Sequence, residues 1–148
     1  MEARTRSVLR FVGSQLVFVV GLLHLGLGLV NWVRWLGAGF LLPRDFRWPV
    51  FVGSGLAVLA GLFLGRRAAD RTPYYLAGIA VMLGYVVGYF GWHLSGHRPL
   101  LVLGQSVAAE TVSVGWFLDH LFAGPVETVA IVAEVLAALT LLALLVSD

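Results

Sequence analysis

The chain of 148 residues holds four His, eight Asp or Glu and no Cys. Without thiols there is no disulfide, thiolate metal site, CxxC pair or cysteine nucleophile, so redox chemistry would need a bound cofactor. The sequence also lacks a Ser-His-Asp order, a phosphate loop and an HExxH pair, and no catalytic residues are assigned. Proton transfer, metal ligation and haem ligation are the chemistries left.

Two groups of residues could perform them. In the first, His24 shares roughly one third of a helical circumference with Ser14, Gly21, Gly28 and Asn31, at about 100° per residue. Glu134 shares a face with Glu127, Ala130 and Ala137. If Asn31 and Val126 mark a common boundary, His24 lies seven residues below it and Glu134 eight, both about 10 to 12 Å deep, so the two can meet. An ionised carboxylate costs several kcal/mol in hydrocarbon unless it is paired, neutralised or hydrated. Two readings follow: a hydrogen bond that locks two helices, or a proton or ligand site.

In the second group, His93 and His97 are four apart, the separation that puts two imidazoles on one helical face, with Glu127 expected at the same level. This is a candidate transition-metal site. Against it, Gly96 and Pro99 suggest that the helix ends there, and interfacial histidines commonly bond loop carbonyls or water. Asp119 and His120 could join from a loop. A bis-histidine haem would have to use His24 and His93, whose depths differ by several residues.

The elements that must position these groups are apolar throughout. The chain is 59% hydrophobic and 12% charged, against roughly 25% charged for a soluble domain. The expected architecture is all-α: a four-helix transmembrane bundle forming a single domain over 1–148. Its spans are expected at about 11–33, 48–65, 74–94 and 126–146, with a long extracytoplasmic connection over 95–125 between the third and fourth. The first run is longer than a secretory core and passes into Asn31-Trp32-Val33-Arg34-Trp35, an interfacial pattern, so it reads as an uncleaved span.

Apolar patches at 100–103, 116–118 and 121–122 suggest that the long connection folds onto the mouth of the bundle. Trp32, Trp35, Trp48, Tyr89 and Trp92 form an interfacial belt. The basic residues are all Arg, ten of them, in short clusters between apolar runs, and the net charge is +2. That distribution suits lipid headgroups and excludes nucleic acid as a partner. With the amino terminus cytoplasmic, six Arg lie inside and four outside, which favours both termini in the cytoplasm of a multi-pass protein of the plasma membrane.

Lipid gives no hydrophobic drive between helices, so close contact at small residues should hold the bundle together. Gly53, Ala57, Gly61 and Gly65 form one such stripe, and Gly84, Gly88, Gly91 and Ser95 another, opposite Met82, Tyr85 and Tyr89. Tight packing is the plain reading of these stripes, and a cofactor groove the sharper one.

The stretches FVVGLLHLGLGL, GSGLAVLAGLFLGRR and YYLAGIAVMLGYVVGYFGWHL, covering roughly 18–94, resemble the DoxX-like family of small four-helix membrane proteins. The resemblance implies an inner-membrane bundle associated with redox or quinone-linked partners. It carries no catalytic residue onto this chain. Three functions therefore stand: an accessory subunit that packs with partner membrane proteins or with itself in a redox or respiratory complex; a haem- or metal-binding redox protein; and a proton-coupled small-solute transporter using His24 and Glu134.

Overall fold

A computed structural model describes residues 2–41, 45–94 and 113–147. Five helices, α1 (Ala3–Gly37), α2 (Arg47–Arg67), α3 (Thr72–Leu94), α4 (Val114–Leu121) and α5 (Pro125–Leu145), account for nearly all of them, and no strand occurs among the described residues. Four of the helices, α1, α2, α3 and α5, are long and apolar enough to cross a membrane.

The first helix exceeds its expected span. At 1.5 Å per residue its 35 residues run about 52 Å, well beyond a hydrocarbon core of about 30 Å. Hydropathy delimits only the lipid-buried part, whereas the backbone ladder continues through Arg4, Arg6 and Arg10, which are good helix formers. The connection expected over 95–125 contains α4, eight residues long, whose first turn is capped by the Ser113 hydroxyl accepting from the Trp116 amide at 3.0 Å. Residues 95–112 lie outside the described part. The fourth span begins at Pro125, where the missing amide hydrogen costs nothing in a first helical turn.

Helix α1 packs against both α2 and α5, α3 packs against α5, and α2 and α3 touch only lightly. Antiparallel order puts both termini and the short α2–α3 link at one end, here the terminal end, and the α1–α2 and α3–α4 links at the other, the loop end. Val20, Met82 and Ala137 are fully buried where α1, α3 and α5 converge. Val30, Phe63, Val87 and Leu139 instead point outward, half or more exposed, as faces turned to lipid should.

Small residues do set the tightest contact, but not along the stripes expected. A Cβ on Gly55 would lie 2.7 Å from the Leu25 amide nitrogen and 2.9 Å from the Gly21 carbonyl oxygen, and one on Gly28 would lie 2.8 Å from backbone atoms of Trp48 and Val52. Here α1 and α2 meet backbone to backbone. Positions 53, 61, 84, 88 and 91 face open space. The face of α3 that turns inward is the opposite one: Tyr75 and Met82 are buried, Gly78 meets Leu141, and Tyr85 packs against the core. Large side chains are needed there because four helices around a common axis leave a gap that glycine cannot fill.

At the loop end, the Arg47 guanidinium lies 3.6 Å from the centre of the Trp92 ring while its Nε donates to Asp45 at 2.9 Å. This cation–π contact clips the start of α2 to the end of α3. Helix α4 sits on the same end. Tyr89 donates its hydroxyl hydrogen to the His120 carbonyl at 2.8 Å, and Thr128 donates to the Leu121 carbonyl at 2.8 Å.

Candidate functional site

Polar side chains inside an apolar helix must spend their hydrogens somewhere, and most here spend them on their own backbone. Ser14 donates to Arg10 O at 2.7 Å, Asn31 to Leu27 O at 2.8 Å and Thr140 to Leu136 O at 2.7 Å. Each bond closes on the carbonyl four residues earlier and reaches no other helix. His24 and Glu134 behave differently.

His24 is 5% exposed and Glu134 3%, and their side chains meet across the α1–α5 seam with His24 Nε2 3.4 Å from Glu134 Oε1. The other ring nitrogen, Nδ1, lies 3.0 Å from the Val20 carbonyl oxygen. A carbonyl can only accept, so Nδ1 carries a hydrogen. A single proton then remains to be placed between Nε2 and Oε1. With it on the carboxyl, both groups are neutral; with it on the imidazole, they form an ion pair of zero net charge. The 3.4 Å gap is a few tenths of an ångström beyond the usual reach for direct transfer, a distance that a small rotation of either side chain closes.

The other two spanning helices complete the enclosure. Tyr85 of α3 stacks on the His24 ring, centroids 3.6 Å apart and planes within 10°. Phe51 of α2 approaches the same ring edge-on at 4.9 Å. The imidazole is thereby held in one plane, its Nε2 aimed at the acid. Beside it the Tyr85 hydroxyl is buried next to the Ser54 hydroxyl without the geometry of a hydrogen bond, and Ser54 gives its own hydrogen to Val50 O at 2.6 Å. Glu134 Oε2 is also buried and makes no hydrogen bond among the described residues. Each of the four spanning helices therefore contributes to a centre in which Glu134 Oε2 and the Tyr85 hydroxyl are buried without a hydrogen bond among the described residues.

Sequence reasoning singled out His24 and Glu134 but put Tyr85 on the far side of α3 from its packing stripe. A usable signal existed. Tyr75, Gly78, Met82, Tyr85 and Tyr89 recur every three or four residues, the spacing of an inward seam.

The second group is described only in part. His93 Nδ1 is bonded to Tyr89 O at 2.9 Å, and its ring lies 4.5 Å from the His120 ring. Glu127, in the first turn of α5, is exposed. His97 lies outside the described residues. Among those described, no three His, Cys, Asp or Glu side chains gather closely enough to hold a metal ion. The histidine that His93 does approach, His120, is carried by α4 and has its own Nδ1 2.8 Å from Trp116 O.

A haem shared by His24 and His93 does not fit this arrangement. Both His24 nitrogens are engaged, one ring face is covered by Tyr85, and the ring is directed at Glu134 rather than at His93. Compared with family models, with curated proteins and with solved structures, the chain matches none of them.

Proposed function

We propose that this chain is a small multi-pass protein of the plasma membrane that exchanges a proton at the His24–Glu134 couple, working beside partner membrane subunits in a redox or respiratory setting. The observation that carries the reading is the 3.4 Å contact between Nε2 and Oε1, with Nδ1 tied to Val20 O. A pair built only to lock helices together would gain most from satisfying every atom. Here Glu134 Oε2 is buried without a hydrogen bond among the described residues, leaving an acceptor for a donor brought by a solute or a neighbouring group. The Arg distribution favours the terminal end in the cytoplasm and the α3–α5 connection outside. The DoxX-like resemblance supplies the redox setting.

Infrared difference spectra of the protein in lipid, recorded while bulk pH is cycled, test this directly. A carboxyl band that appears and disappears reversibly with pH, and is missing in Glu134→Gln, is the expected result. A band that stays constant across the accessible pH range would mean a fixed structural hydrogen bond and would overturn the reading.

One observation favours partner subunits over a solitary transporter. Positions 84, 88 and 91 of α3 form an outward face on which an added Cβ meets nothing, and such a face lets another helix approach closely. Weighing the particle in mild detergent checks this, a strictly monomeric species being the result against it.

A further inference from the structure

Helix α2 is drawn to α1 at Gly55, and this leaves it splayed from α3 toward the terminal end. Between them opens a cleft of about 510 Å³, within the range of small-molecule sites. Its walls are apolar, with Val58 and Leu62 on one side, Val81 on another and Leu144 behind; Val17 and Met82 close its deep end. Gly61 lines it and has open space where a side chain would stand. The mouth has the opposite character, with Arg10, Arg66 and Arg71 around it and Tyr74 beside them.

A second recess, of about 350 Å³, adjoins at the same end and shares Arg10 and Arg71 with the cleft. Among the described residues its charged lining is Arg6, Arg10, Arg71 and Asp70. The Asp70 carboxylate is already engaged by the Thr72 amide at 2.9 Å. An apolar slot sunk into the bundle thus ends in a polar, arginine-rich basin at the level where lipid headgroups lie.

We propose that this cleft binds one anionic lipid molecule, its phosphate between Arg66 and Arg71 and an alkyl chain running past Gly61 toward Met82. The complementarity has two parts. An aliphatic chain replaces the side chains that Ala57 and Gly61 do not supply, and the guanidinium groups match a phosphate with paired N–H donors. A zwitterionic headgroup would bring a second cation into the same basin and lose much of the attraction. The site stands apart from the His24–Glu134 reading, since neither residue lines it.

Native mass spectrometry of the detergent-solubilised full chain tests the proposal, with phosphatidylglycerol and phosphatidylcholine of identical chains as probes. One phosphatidylglycerol per chain should be retained in preference to phosphatidylcholine. The double variant Arg66→Gln/Arg71→Gln should lower that preference about thirtyfold, the effect of two arginines at a membrane surface. Gly61→Leu puts a branched side chain into the slot from a position where a Cβ meets nothing, and should remove retention of both lipids while the thermal unfolding midpoint holds. Equal retention of the two lipids, a preference untouched by the double variant, undiminished binding in Gly61→Leu, or displacement of the lipid by inorganic phosphate would each overturn it.

Discussion

The two seams that α2 makes with its neighbours are built from the same residue type and behave oppositely. Against α1, Gly55 brings backbones within contact, and Gly21 and Gly28 answer it from the other side. Against α3, a Cβ on Gly61 would meet nothing, and one on Gly65 would lie 3.0 Å from the Tyr74 side chain. A glycine therefore tightens a membrane seam only where the facing backbone comes close enough to use it. Where α2 diverges from α3, Gly61 leaves a gap. The first seam holds the fold, and the second leaves room for a guest.

Substitutions can sharpen that contrast. Gly55→Leu should be the most damaging, because the new side chain meets the backbone of α1, which cannot rotate away; a loss of about 3 kcal/mol or more is expected in thermal unfolding in detergent. Gly78→Ala should cost about 1 kcal/mol or less, since the atom in the way, 2.7 Å from the built Cβ, is the end of the Leu141 side chain. Gly61→Ala reverses the sign. It adds no clash and removes glycine's backbone entropy, so a gain of about 0.5 to 1 kcal/mol is expected. A destabilised Gly61→Ala protein would mean that the second seam closes in the membrane.

The smallest effect belongs to the link between α2 and α3. The Thr72 amide, and then its hydroxyl, hold the Asp70 carboxyl below the ordinary carboxylate range. A group depressed in the folded state stabilises above its ordinary range and loses that contribution as pH falls through the lowered value. Local opening at the start of α3, read as hydrogen exchange corrected for its intrinsic pH dependence, should therefore increase on acidification below the ordinary aspartate range. The increase should be slight, because Asp70 is fully exposed to water, and it should vanish in Asp70→Ala.

How much was legible in the sequence follows from which forces leave a linear trace. Hydropathy marks lipid contact, so four spans could be read to within a few residues, apart from the polar overhang of α1. Depth arithmetic located His24 and Glu134 because helical rise is constant and a charge in an apolar run is costly wherever it sits. The inward face of α3 was not read, because glycine stripes and aromatic stripes both recur every three or four residues and only the neighbouring helices decide which is buried. The cleft was invisible for the same reason: it is set by the divergence of two helices. Helix α4 left only the apolar patches at 116–118 and 121–122 as its trace.

The arrangement around His24 also determines how the protein would respond to voltage. Passing the proton from Oε1 to Nε2 turns a neutral pair into an ion pair of the same total charge, over a span shorter than the 3.4 Å between the heavy atoms. Even aligned with the membrane normal, that is roughly a tenth of a hydrocarbon core about 30 Å thick. At about 2.3 kcal/mol per elementary charge per 100 mV, the electric field would do about 0.2 kcal/mol of work on the shift. The couple lies between two upright helices, so the true component is smaller still. Its equilibrium would answer to the polarity of whatever approaches Glu134 and stay nearly indifferent to the membrane potential.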